Sequence, residues 1–256
     1  MVTKAVHIEV VSDLTTSSFL LTLKRFISRR GNPTVIYSDN ATCFSGANLV
    51  EYLSENQISW KFIPPISPHW AGIWEASVKS AKYHMRRLIG CSSFTFEQFY
   101  TFMVQIEAVM NSRPICAMSS DPSDYTFLSP GHFIIGSSLT AHPEQNLEKI
   151  PENKLSVFQQ IAKVQQSFWK KWSVDYLNRL QNSPKWSRPR DNIKVNDLVL
   201  LREDDVPPLK WPLARVVDTM PGQDGKVRVV KLKTINGQFT RAISKISVLP
   251  RQDKEE

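Results

Sequence analysis

Strict alternation opens the chain: in "TKAVHIEVVSD", Val6, Ile8 and Val10 share one face while Ala5, His7, Glu9 and Val11 take the other. That period of two predicts a strand with one consistently apolar side. From Thr15 to Arg30 the period lengthens, with Phe19, Leu20, Leu23, Phe26 and Ile27 recurring at helical spacing and Gly31 and Pro33 placed to stop the helix. "TVIYSD" then predicts a short buried strand, "ANLVEYLSEN" a short helix and "ISWKFI" a third strand. "PPISPHWAG", with prolines at 64, 65 and 68, predicts a loop.

A helix is predicted from about Ile73 to Ile89, because Trp74, Val78, Ala81, Met85 and Leu88 form a continuous apolar stripe. On the neighbouring stripe Glu75 heads a row of cations, Lys79, Lys82 and Arg86. The next helix starts at a Thr95 to Gln98 capping box, presents Phe96, Phe99, Met103, Ile106 and Met110 as its core face, and stops at Asn111 to Pro114. A polar, proline-punctuated stretch runs to about Asn153. Beyond it lies a long helical segment with Phe158, Ile161, Phe168, Trp172 and Leu180 on its buried side, and then a basic, breaker-rich linker, "NSPKWSRPRDN". The tail changes period again: "DLVLLRE", "PLARVVDTM", "KVRVVKLKT" and "QFTRAISKISVLP" are short β-rich runs between proline and glycine turns, the pattern of a small barrel or sandwich.

Composition narrows the class. The 256 residues suffice for two modest domains, and 41% apolar with 22% charged residues is ordinary for a globular protein. No apolar run approaches bilayer length and no signal-peptide pattern opens the chain, so a nuclear or cytoplasmic protein with no membrane partner is expected. Cys43, Cys91 and Cys116 form no C-x-x-C pair, and the five histidines make no metal-ligand spacing. The net charge of +8 favours a polyanionic partner. From Pro184 onward 15 Lys or Arg face 10 Asp or Glu, so the tail shares that bias.

Two carboxylates are the candidate chemistry. Asp39 ends a predicted buried strand, where an open α/β sheet tends to bind what it acts on. The plainer reading is that Asp and Asn end strands because their side chains bond the turning backbone. Glu75 has a plain reading too, an exposed i,i+4 pair with Lys79 worth about 0.2–0.5 kcal/mol. Together, with 35 residues between them, the two are more specific: the intervening order of helix, strand, loop and helix sets one carboxylate at a strand end and the other on a helix able to cross that end. Such a pair is suited to Mg²⁺, which takes a few carboxylates plus substrate phosphates and serves in-line phosphoryl transfer. Cations one and two turns past Glu75 would lie along a nucleic-acid backbone.

The order "AVHIEVVSDL", "IYSDNATCF", "WKFIPPISPHWAGIWEASVKSAKYHMRRLIG" and "NSRP", with the tail "DLVLLREDDVPPLKWPLARVV", resembles the integrase region of Pao/BEL-type long-terminal-repeat retrotransposon polyproteins over nearly the whole chain. That resemblance implies an RNase H-like core over residues 1–137, lacking its first two strands, then a helical linker over 138–185 and a basic SH3-like β-barrel over 186–256. It implies Asp39 and Glu75 as the second and third acidic residues of a DDE triad holding Mg²⁺ or Mn²⁺, and Lys79 and Lys82, with Arg86 beyond them, as contacts to the element's DNA end. The intact parent would process 3′ ends and join them to target DNA, working as a homo-oligomer. The family's first Asp has no counterpart here, Asp13 being a helix-preceding residue, so the chain as written is expected to lack strand transfer. Ala41 stands where the family has Gly. His69 is a loop residue able to position DNA, its plainer reading being a loop histidine with no role, and Trp70 and Trp74 read as packing rather than base-stacking residues. The alternative is a non-enzymatic nucleic-acid-binding protein retained from a transposable element.

Overall fold

The Thr15 hydroxyl accepts a hydrogen bond from the Ser18 amide and so starts α1 (Thr16–Arg30), which ends where Gly31 turns to a φ of 87°. The structure, a computed structural model, describes residues 3–44, 46–64, 79, 81–88, 94–141, 144–181 and 192–250. α1 packs with α2 (Ala47–Glu55) against β1 (Val35–Ser38) and β2 (Ser59–Phe62) around Leu23, Leu49, Leu53 and Ile58. β1 and β2 pair in parallel, Val35 opposite Ser59 and Ser38 opposite Phe62. Three aromatic rings close one end of this unit: Phe19 meets Phe44 and Trp60 edge-on, with centroids 4.9 and 5.6 Å away.

The alternating segment at the amino end does not become a strand. Residues 5–11 run without a ladder, and their backbone groups are paired instead by side chains of α4 (Phe96–Asn111). The Asn111 amide accepts from Val6 N (2.8 Å) and donates to Val6 O (2.7 Å), while Glu107 accepts from Ile8 N (2.9 Å). Buried Arg113 donates to Lys4 O. Period two in sequence reports which side chains face the core, and that part holds, since Val6, Ile8 and Val10 pack on the core. It does not report what meets the backbone. An open cleft of about 580 Å³, lined by Val11, Leu14, Phe26 and Ile36 among others, separates the segment from β1.

The principal core is shared by helices and sheet: Ala81 from the helical residues 81–88 (α3), Phe102, Ile106 and Met110 from α4, Phe168 and Trp172 from α6 (Val157–Gln181), and Leu198, Leu200, Trp211 and Leu249 from the carboxyl-terminal part. α4 begins at the predicted Thr95–Gln98 capping box. Its first core residue differs: Phe96 is 68% exposed and stacks on Tyr100, and Phe102 takes the central place. In α6, Phe158 is likewise exposed, at 73%. Both lie in first turns that extend past the elements they pack on.

Between α4 and α6, the stretch expected to be irregular holds a small antiparallel pair, β3 (Cys116–Ala117) with β4 (Phe127–Leu128), and a short helix, α5 (His132–Ile135). The described part of the expected helical linker is helical only from Val157, apart from a 3₁₀ turn at Glu152–Lys154. The tail forms β5 (Leu198–Leu201), β6 (Leu213–Pro221), β7 (Val227–Thr234), β8 (Gly237–Ala242) and β9 (Ile246–Val248), an antiparallel sheet in the order β8-β7-β6-β5-β9. Register shifts between β6 and β7, at Val217 of β6 and at Arg228 of β7, curl it into a half-barrel over Val199, Ala214, Val230 and Leu232. The molecule is thus mixed α/β, and among the described residues no helix is long and apolar enough to cross a membrane.

Candidate nucleic-acid interface

Asp39 follows β1 directly and is exposed. The corner that carries it is braced from both strands. Ser38 Oγ accepts from Trp60 Nε1 (2.9 Å) and donates to Asp39 O (2.8 Å), and Asn40 Nδ2 donates to Ile63 O (3.3 Å). The Asp39 carboxylate itself accepts one backbone bond, from Ala41 N at 3.3 Å. Asp39 therefore performs the strand-ending role of the plain reading while leaving most of its acceptor capacity facing solvent. A Cβ at 41 does not prevent this turn.

Beyond β2 the chain passes Pro64, and Glu75 lies outside the described residues, as do His69, Trp70, Trp74 and Val78. α3 carries the rest of the predicted constellation. Ala81, Met85 and Leu88 face the core as expected, and Lys79, Lys82 and Arg86 are all exposed. At a rise of about 1.5 Å per residue these three cations span about 10 Å, some three nucleotide rises along one DNA strand. None forms an ion pair with a carboxylate among the described residues. The same face extends through Arg87, whose guanidinium lies 4.2 Å from the Tyr83 ring centroid.

His84 is a residue that the apolar stripe concealed. It is 6% exposed, meets Phe168 edge-on at 6.2 Å and bonds Asp175 of α6 through Nε2 (3.0 Å), which ties α3 to the principal core. Its position three residues after Ala81 was the available signal.

The sheet supplies a second cationic surface. On β7 the exposed Arg228, Lys231 and Lys233 share the strand with buried Val230 and Leu232, and Lys231 and Lys233 lie opposite Thr240 and Gln238 of β8. Arg241 caps the Phe239 ring at 4.7 Å. Arg228 is held by Asp224 (2.7 Å), which keeps that carboxyl below its usual range.

Among the described residues no group of three His, Cys, Asp or Glu side chains is placed to hold a metal ion. Asp39 alone does not make a Mg²⁺ or Mn²⁺ site, and the described residues by themselves do not fit one. Asp13 accepts from the Thr15 amide and hydroxyl (2.9 and 2.6 Å), and these bonds, the hydroxyl's foremost, lower its carboxyl to about 2. It is a brace for the start of α1, as its sequence position indicated.

A profile described as a family of unknown function (DUF5641) matches residues 156–249, which hold α6 and the five-stranded sheet. No curated protein matches the chain. Among solved structures, a chain of the simian T-cell lymphotropic virus intasome in complex with PP2A regulatory subunit B56 gamma, determined by cryo-EM, is similar at 10% identity and a TM-score of 0.38. The match covers 92% of this chain and 65% of that one, so the present chain spans less than two thirds of its length.

Proposed function

We propose that this chain is the DNA-handling part of a Pao/BEL-type retrotransposon integrase, with an RNase H-like core and an SH3-like barrel behind it. The carrying observation is the row of Lys79, Lys82 and Arg86, exposed on the helix that follows β2, while Asp39 stands exposed at the carboxyl end of β1. Lys79, Lys82 and Arg86 neutralise phosphates of the element's DNA end, and Lys231, Lys233 and Arg241 add a second contact to the backbone. Asp39 and Glu75 are the two carboxylates this chain contributes to Mg²⁺-dependent strand transfer. Their sequence spacing supports that assignment, and the braced corner at Asp39 supports its half of it. A non-enzymatic DNA-binding protein is the second reading, favoured by the exposed cations on both α3 and β7, which serve binding without either carboxylate.

The test is binding of a labelled duplex, followed by fluorescence anisotropy between 50 and 200 mM salt. Each phosphate contact adds about 0.9 to the slope of log affinity against log salt, so Lys79→Ala/Lys82→Ala/Arg86→Ala is expected to reduce that slope by about 2.7. Asp39→Asn is expected to leave binding unchanged or slightly tighter. A slope that the triple variant does not alter would refute the interface. Because the chain as written is expected to lack strand transfer, the two readings are separated by whether Mg²⁺ tightens duplex binding and whether Asp39→Asn or Glu75→Gln abolishes that tightening, since only the enzymatic reading gives either carboxylate a metal to hold.

A further inference from the structure

The cationic surfaces have an acidic opposite. Between α6 and the β5–β6 connection lies a pocket of about 90 Å³, room for about three waters. Its walls are apolar and stiff. Trp169 and Trp211 meet edge-on at 4.8 Å, Trp169 Nε1 is fixed to Val206 O (2.9 Å), and Pro207, Pro208 and Pro212 hold the connection. Trp211 Nε1 is likewise engaged, by Ser112 Oγ at 3.2 Å, so neither indole offers a donor to a ligand. Gln166 Nε2 and Ser173 Oγ are likewise given to the carbonyls of Gln145 and Lys170, so beside Asn146 and Lys170 the polar lining is mainly acceptor in character.

Its rim carries five carboxylates, Glu144, Glu148, Glu203, Asp204 and Asp205, against one ammonium, Lys170. Glu148 is taken by Lys170 Nζ at 2.7 Å, and that bond, assisted by Asp205 and Asp204, raises the lysine's pKa. Glu144, Glu203, Asp204 and Asp205 make no hydrogen bond or ion pair among the described residues. In a chain of net charge +8 this is a local concentration of negative charge beside two aromatic walls, and nucleic acid would be repelled from it. Cations with an apolar stem match such a site, because the stem fills the pocket beside the paired rings and the head stays at the carboxylates.

We infer that the pocket between α6 and the β5–β6 connection binds a lysine or arginine side chain presented by a basic segment of a partner protein. Lys170, an ammonium already held at the rim, shows the geometry in miniature. The inference stands apart from DNA binding and uses a different part of the surface.

The experiment is calorimetric titration of the full chain with a capped peptide of alternating Arg and Gly, and with its Glu counterpart. The Arg peptide is expected to bind and the Glu peptide to be silent. Glu203→Gln/Asp204→Asn/Asp205→Asn, all at exposed positions, is expected to weaken binding at least tenfold. Ser173→Leu, which fills the pocket without altering charge, is expected to do the same. Asp218→Asn, an exposed carboxylate on β6 outside the pocket, is expected to change nothing. No binding at millimolar peptide, equal binding of the Glu peptide, or an Asp218→Asn effect as large as that of the triple variant would overturn the inference. So would duplex DNA binding that weakens when the three carboxylates are removed, because the pocket would then serve nucleic acid.

Discussion

Replacing Arg215 by Met tests how the half-barrel is joined to the rest of the molecule. Arg215 lies on β6 and is 3% exposed, yet it meets no carboxylate within ion-pair distance among the described residues. Its guanidinium is spent on carbonyls: Nε and Nη2 on Asp124 O (3.0 and 2.7 Å), Nη2 also on Ser119 O (2.7 Å), and Nη1 on Asn196 O (2.9 Å). Two of those carbonyls belong to the turn between β3 and β4, so one side chain fastens that turn to the sheet. A hydrogen bond to a charged group contributes about 1.5–3 kcal/mol, but the three carbonyls are half-buried and regain water when released. Met also removes the burden of a buried cation, which offsets part of the loss. The net expectation for Arg215→Met is a destabilisation of about 3–4 kcal/mol, read as a fall in the urea midpoint at constant slope. Arg215→Lys should recover less than half of it, because an ammonium does not reach three carbonyls in a fork. Protease cleavage within residues 118–126 should become the first event in the Met variant. A loss below about 1 kcal/mol would refute the idea that these bonds join the two parts, leaving that to the shared apolar core and to bonds such as Trp211 Nε1 to Ser112 Oγ.

Two further outcomes follow from buried groups. Asn111→Leu removes both bonds to Val6 and is expected to destabilise by about 2–3 kcal/mol, with hydrogen exchange at the Val6 amide accelerated most; unchanged protection there would show that the segment is held by other contacts. Tyr176 donates its hydroxyl to Pro114 O, and burial pushes its pKa up to about 12, the nearby Arg113 pulling the other way. The unfolded chain loses that proton near about 10, so the stability contributed by Tyr176 is full below pH 10 and is lost as pH rises toward 12. Spectrophotometric titration should show one tyrosine ionising last, and Tyr176→Phe should abolish that step; six tyrosines titrating together near 10 would contradict the burial.

The sequence made some features plain and hid others for physical reasons. The Thr95–Gln98 box and the helical spacing of Met103, Ile106 and Met110 are local, and α4 appears where they place it. Asp39 was legible as a strand end for the same reason. The segment around Val6 was misread because alternation encodes side-chain faces, whereas strand pairing depends on a neighbour distant in sequence. Phe96 and Phe158 were counted into core stripes because a period continues to the end of a helix whether or not a packing partner does. His84 was missed because its position fits the apolar stripe and its partner, Asp175, lies 91 residues away. The acidic pocket was invisible for a similar reason: Glu144 and Glu148 reach it from one segment and residues 203–205 from another, so neither run draws attention by itself.

The grip of α4 on the amino-terminal segment has an evolutionary consequence. Asn111, Glu107 and Arg113 hold only main-chain atoms of Lys4, Val6 and Ile8. Placement at those three positions is thus separated from side-chain identity, so residues 4 and 5 are free to drift while Val6 and Ile8 stay apolar; His7 is the exception, its ring lying against Glu9, Glu107 and Phe26. Length is a different matter. A single inserted residue would carry the clasped atoms out of register and turn the apolar face outward, so this stretch should accumulate substitutions readily and insertions hardly at all.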